Sequence, residues 1–178
     1  MVDEFSDTQI ENELFLWGEV TSENCFELYK QILIQEKNEQ DFNLNICSVG
    51  GEVEPIYGIM DKIEQMIGQG YNINTVGIGS VYSAAAMLFI TGKTRMSYRN
   101  TSFMFHPYFY SLPENDHYSH KTYVDFMEKF YLKFMSELCE QIGLSKRKAK
   151  SFIEKCKTEL WLNAEDAYEL GIVHQIIE

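Results

Sequence analysis

The sequence predicts an α/β fold built on a largely parallel sheet. Two observations carry this. Short apolar or alternating runs recur between longer segments whose apolar residues return every three or four positions. Over the first half of the chain the order is strand, helix, strand, helix, strand, the pattern that parallel strands with crossover helices produce. The 178 residues, 45 % hydrophobic and 14 % aromatic, suit one ordinary domain (1–178) and exclude a largely disordered chain.

The elements follow in order. Residues 1–13 are polar and read as a loose N-terminal segment. Leu14-Phe15-Leu16-Trp17-Gly18 reads as a buried strand. Thr21 or Ser22 caps a helix carrying Cys25, Phe26, Tyr29, Ile32 and Leu33 at helical spacing. Phe42, Leu44 and Ile46 alternate as a strand, which Gly50-Gly51 ends in a turn. Pro55 opens a helix with Ile56, Ile59, Met60, Ile63, Met66 and Ile67 on one face, stopped by Gly70. Ile73 to Ile78 is the next strand. Residues 83–91, all small or apolar, form a short buried helix. Thr94–Tyr98 and Ser102–His106 are short strands, and Pro113–Asp116 is a loop. From Tyr123 the apolar positions run to 142 at helical spacing, a helix of about 20 residues or ~30 Å. Ser145 caps a basic helix, 146–157. A strand at Leu160–Leu162, a short helix after Asn163 and a strand from Ile172 to Ile177 finish the chain.

The net charge is −12, and it is localised. Residues 1–54 hold 13 acids and 2 bases, whereas 55–178 are nearly balanced with 14 and 13. Such a chain is a poor binder of nucleic acid or anionic membrane through bulk electrostatics. The acidic start lacks a signal peptide's basic and apolar regions, and the longest apolar run, Val81 to Ile90, is half a membrane span. The four cysteines, without CxxC spacing, read as reduced thiols in a cytosolic-type compartment.

In open α/β sheets, sites form beyond the carboxyl ends of parallel strands. Three strand ends here carry chemistry. The first is Cys47-Ser48-Val49-Gly50-Gly51, whose diglycine lets backbone N–H groups approach a ligand closely. The second is Gly79-Ser80-Val81-Tyr82-Ser83-Ala84, with a serine at a helix start. The third is Met104-Phe105-His106-Pro107. A serine and a histidine on neighbouring strand ends form the nucleophile-and-base pair of acyl transfer. Taken singly, each has a plainer reading: a turn, a helix cap, a structural histidine.

Together and in this order, the motifs resemble the caseinolytic, ClpP-type serine peptidases, from about Leu14 to Ile177. Cys47-Ser48-Val49-Gly50-Gly51 stands where that family has Asn-Ser-Pro-Gly-Gly. Gly79 to Ala86 stands for Gly-Gln-Ala-Ala-Ser-Met-Gly-Ala, and Met104 to Tyr108 for Met-Ile-His-Gln-Pro. The segment from Trp161 to His174 matches the closing Phe-Leu-Ser-Ala-x-Glu-Ala-x-x-Tyr-Gly-Leu-Val-Asp. The resemblance implies a ClpP/crotonase-like spiral of β-β-α units with a protruding handle helix in a region spanning 107–142. It implies Ser83 as nucleophile, His106 as general base, and the backbone N–H groups of Gly51 and Ala84 as oxyanion hole. It also implies a polypeptide substrate lying along Gly50 and Gly51. Neither cofactor nor metal is expected. The implied assembly is a homo-oligomer, heptameric rings stacked as a tetradecamer, served by an ATP-driven AAA+ unfoldase or adaptor. The implied location is cytoplasmic, or the host cytoplasm or plastid stroma for a viral or plastid source.

The departures matter. The family's third catalytic residue is an aspartate, and the matching position holds Glu159, one methylene longer. Val49 replaces a proline, Tyr82 an alanine and Ala85 a glycine. These changes keep a second reading open, a catalytically impaired structural or regulatory subunit. A third is a crotonase-like acyl-CoA enzyme, which would not need the Ser–His pair. His117 and His120, beside Glu114 and Asp116, read as a solvated turn rather than a metal site. The basic helix reads as a solvated face. In the implied ring, the acidic first third lies at the axial entrance, where it would attract a cationic adaptor or filter substrates.

Overall fold

The structure, a computed structural model, describes residues 12–107 and 117–178; the side chain of His117 lies outside the described part. The loop expected at Pro113–Asp116 and the first eleven residues of the loose segment also lie outside it. The chain divides into two compact units, Met1–Phe103 with Leu162–Glu178, and Met104–Trp161.

In the first unit, strands β1 (Glu13–Val20), β2 (Phe42–Gly51), β3 (Ile73–Tyr82), β4 (Arg95–Tyr98) and β7 (Gln175–Ile177) lie in the order β1-β2-β3-β4-β7. Every neighbouring pair is parallel. The crossovers are α1 (Ser22–Lys37), α2 (Val53–Gly68) and α3 (Ala84–Ile90). The mixed α/β architecture expected from the alternating pattern is therefore present. Leu14, Leu16, Leu44, Ile46 and Ile73 of the sheet are buried, as are Ile32, Ile56, Ile59, Ile63 and Met66 of the helices. Each such side chain contributes about 1.5–3 kcal/mol of apolar burial.

Several details settle or depart from the expectation. Thr21 is the cap of α1: its hydroxyl accepts from the Asn24 N–H at 3.3 Å, and the Asn24 side chain accepts from the Thr21 N–H at 3.0 Å. The buried face of α1 is Cys25, Leu28 and Ile32, while Phe26 and Leu33 are 62 % and 40 % exposed. Positions 25, 28 and 32 share one face at helical spacing, and 26 and 33 share the next. Helix α2 begins two residues before Pro55, which sits in the first turn, where no intrahelical donor is required. The final strand is only Gln175–Ile177. The N–H groups of Ile172 and Val173 both turn back to Ala167 O, so these two apolar residues are buried in a turn.

The strand ends are irregular, and this shapes the site. Between Ile46 and Ser48 the partner on β3 advances from Gly77 to Val81, so four steps on β3 face two on β2. The surplus makes a bulge at Ile78–Ser80, and bulges re-aim the chain that follows. Here they deliver Ser83 at the start of α3, whose seven residues are all buried.

Segments β5 (Ser102–Phe105) and β6 (Leu160–Asn163) carry the chain between the units. The second unit contains α4 (His117–Gln141) and α5 (Lys146–Cys156). Helix α4 has 25 residues, or ~38 Å, and starts six residues earlier than the apolar spacing indicates. Its first turns are polar, yet contain no residue that breaks a helix. Tyr131, Met135, Leu138 and Cys139 are buried along its second half, whereas Tyr118 and Phe126 near its start are exposed. Ser145 holds the N-cap position of α5, but its side chain makes no capping bond. Phe105 and Phe152 meet edge to face, ring centres 5.7 Å apart.

Candidate active site

The end of β2 and the turn from β3 into α3 converge within the first unit. Gly50 has φ +90° and Gly51 φ +150°, conformations that L side chains rarely adopt. Space excludes a side chain as well. A Cβ on Gly50 would lie 2.6 Å from Ser83 Cβ and 3.2 Å from the backbone nitrogen of Ala84. A Cβ on Gly51 would lie 2.2 Å from Val20 O. The diglycine is thus pressed between the end of β1 and the serine turn. Strand β2 runs through both glycines instead of ending in the turn expected at Gly50-Gly51, and within it the Gly50 N–H donates to Ser48 Oγ at 3.1 Å, a brace where Val49 stands in place of proline. Val20 O is taken by the N–H of Glu52 at 3.0 Å.

Ser83 occupies the N-cap position of α3 without capping it: its side chain makes no bond to the helix N–H groups. Its backbone stands at φ +55°, ψ −124°. That conformation is strained for a residue with a Cβ, and strain of this kind costs about 1–3 kcal/mol and clusters at functional sites. A sharp strand-to-helix turn with a strained serine is the geometry that lifts a nucleophilic Oγ clear of its neighbours. The Ser83 carbonyl accepts from the Ala86 N–H at 3.0 Å and the Met87 N–H at 3.2 Å, which anchors the turn to the helix.

Gly50, Gly51, Ser83 and Ala84 are therefore brought together in one unit. His106 and Glu159 belong to the other. His106 follows β5 directly and is half-buried. Glu159 precedes β6, is exposed, and accepts a hydrogen bond from the Trp161 indole Nε1–H at 3.0 Å. Glu159 and Trp161 share a shallow depression with Pro107, Lys157 and Thr158.

A family model described as Clp protease matches the chain over residues 1–178. The chain belongs to the Clp protease family. The parallel sheet of alternating strands and helices and the long helix α4 accord with the Clp protease fold. No curated protein matches the chain significantly. Among the described residues, no helix of this Clp protease family member is long and apolar enough to cross a membrane. Its described residues also contain no group of three or more metal-ligating side chains, although Glu114, Asp116 and the His117 side chain lie outside them.

All four cysteines are free. Burial pushes the Cys25 thiol up to about 11, with Glu52 adding to the effect, and raises Cys139 to about 11. Cys156 rises to about 12 through burial, with Cys139 adding to it. Thiols so far from ionisation are poor nucleophiles.

Two contributors escaped the sequence reading. One is Ser48, whose hydroxyl accepts from the Gly50 N–H and braces the diglycine; its place inside that motif was the available signal. The other is Ser102, whose hydroxyl reaches the bulge before Ser83. Nothing in the spacing marks it.

Proposed function

We propose that this Clp protease family member is a serine endopeptidase acting on unfolded polypeptides. The observation that carries the reading is the Ser83 backbone, φ +55° and ψ −124°, in the turn between β3 and α3 with Gly50 packed against it. Substrate would lie as an added strand along Gly50 and Gly51. Ser83 Oγ attacks the scissile carbonyl carbon while its proton passes to His106. The N–H groups of Gly51 and Ala84 stabilise the resulting oxyanion. The C–N bond then breaks, and His106 returns the proton to the leaving amine. Water, deprotonated by His106, then attacks the acyl carbon, and His106 returns that proton to Ser83 Oγ as the acyl group leaves. Glu159 is assigned the orienting of the imidazole. Family membership further supports homo-oligomeric rings, seven subunits each and stacked in pairs, fed by an AAA+ unfoldase or adaptor. The exposed Tyr118 and Phe126 on α4 supply apolar surface for such pairing.

The test is covalent labelling of the assembled protein with a fluorophosphonate probe. Labelling at Ser83, lost in Ser83→Ala, supports the reading. Absence of labelling, beside a competent relative that reacts, overturns it. One observation favours a second reading, an impaired structural or regulatory subunit: the Glu159 carboxylate is engaged by the Trp161 indole. Under that reading the probe leaves Ser83 unmodified while rings still form.

A further inference from the structure

A strained backbone persists only where its surroundings over-determine it. Gly50 confines Ser83 on one side. The other side is the bulge that leads into it, and side chains from residues 101 and 102 stitch that bulge down. Thr101 Oγ1 donates to Gly77 O at 2.9 Å, and Ser102 Oγ donates to Gly79 O at 3.2 Å. The Tyr82 hydroxyl lies 2.7 Å from Ser102 Oγ. Ser102 has a single hydroxyl proton, and it is directed at Gly79 O. Tyr82 is therefore the donor to Ser102. The chain of bonds runs from Tyr82 through Ser102 to Gly79, so the middle of the bulge and the residue that precedes Ser83 are tied to one hydroxyl.

We propose that Tyr82 and Ser102 are positioning residues that hold Ser83 in its strained, attack-ready conformation. The proposal rests on the reading of Ser83 as nucleophile. Tyr82 directly precedes Ser83, so a rotation at residue 82 is passed straight to the serine. Releasing its hydroxyl lets the turn relax toward ordinary φ values and lowers the fraction of protein with Oγ presented.

The experiment measures fluorophosphonate labelling of Ser83 together with amide hydrogen exchange over residues 79–84, in the full-length protein. The variants are Tyr82→Phe, Ser102→Ala, both together, and Ser102→Thr, which keeps a hydroxyl. Each single removal is expected to slow the maximal labelling rate about five- to tenfold, the scale of one hydrogen bond, with probe affinity unchanged. The double variant is expected to be no slower than either single one, because the bonds act in series. Ser102→Thr restores the rate. Labelling of Tyr82→Phe at the wild-type rate, or effects that multiply in the double variant, overturns the proposal. If the wild-type protein does not label at all, the peptidase reading falls, and exchange judges the strut by itself. Faster exchange at residues 79–84 in both single variants upholds it; unchanged exchange overturns it.

Discussion

Arg95 and His174 meet at 2.7 Å between Nη2 and Nε2, while the Arg95 backbone N–H points at His174 Nδ1 from 3.2 Å. A neutral imidazole can accept at only one of its two nitrogens, and an imidazolium at neither. Arg95 is buried, and among the described residues its other partners are the carbonyls of Ile172, Gly171 and Gly92. None is a carboxylate. Burial alone pushes the guanidinium down to about 10. The same setting lowers the pKa of His174, first through burial and then through the Arg95 charge.

Stability is therefore expected to fall in mild acid. With the folded pKa below the ordinary 6.5, the unfolded chain takes up the proton first. The His174 contribution is intact above about pH 6.5, declines as pH falls toward the folded pKa, and is flat below it. Urea midpoints at pH 7.5, 6.5 and 5.5 should show this slope in the native protein and lose it in His174→Asn. An identical slope in both proteins contradicts the assignment.

The buried and exposed faces of α1 should separate cleanly by mutation. Ile32→Ala is expected to cost about 2–5 kcal/mol, because it opens a cavity in the core. Leu33→Ala, at the neighbouring exposed position, should stay within about 0.5 kcal/mol. Chemical denaturation of the two variants provides the comparison.

Gly50→Ala should damage both fold and site. The added methyl group meets Ser83 Cβ and the Ala84 nitrogen, at a φ that alanine resists. A loss of about 1–3 kcal/mol is expected from the strain. Fluorophosphonate labelling should fall further than the populated folded fraction accounts for. Labelling that simply tracks the folded fraction would place Gly50 outside the site.

Glu159→Gln tests the orienting role proposed for Glu159. Since Glu159 is exposed, the melting temperature should barely move. Peptide turnover should drop by up to ~10⁴, the scale seen when a triad loses control of its histidine tautomer. Turnover equal to wild type would remove Glu159 from the mechanism.

Alkylation should discriminate among the thiols. Cys25, Cys139 and Cys156 are buried, with pKa values raised to about 11, 11 and 12. Cys47 is half-buried. Iodoacetamide at pH 7.5 should modify Cys47 in the native protein and spare the other three until urea is added, as peptide mass mapping would reveal.

The strand and helix order was legible because burial imposes period two on strands and three to four on helices. The misplacements have equally physical origins. Phe26 and Leu33 fit a helical spacing, but one shared with solvent. Ile172 and Val173 are apolar enough for a strand, yet their N–H groups close a helix end at Ala167 O. At the candidate site, the sequence motifs pointed to Gly50, Gly51, Ser83 and Ala84, and the structure brings these four together because only glycine allows so close a backbone approach to the serine turn. The Tyr82–Ser102 bond could not. It joins residues 20 apart through a bulge whose size no local pattern encodes.

The pairing of β4 with β7 has a consequence for how the first unit is made. The carbonyl that receives the Arg95 Nε–H lies 77 residues further along the chain. During synthesis, β1 to β4 and their helices can assemble while Arg95 remains hydrated at an open edge. Only after α4 and α5 have left the ribosome can residues 171–177 reach back, dehydrate the guanidinium and cover that edge. Closing so long a loop is slow relative to local pairing. Until that loop closes, the β4 edge stays open to pairing with other strands, which is where a chaperone would matter most.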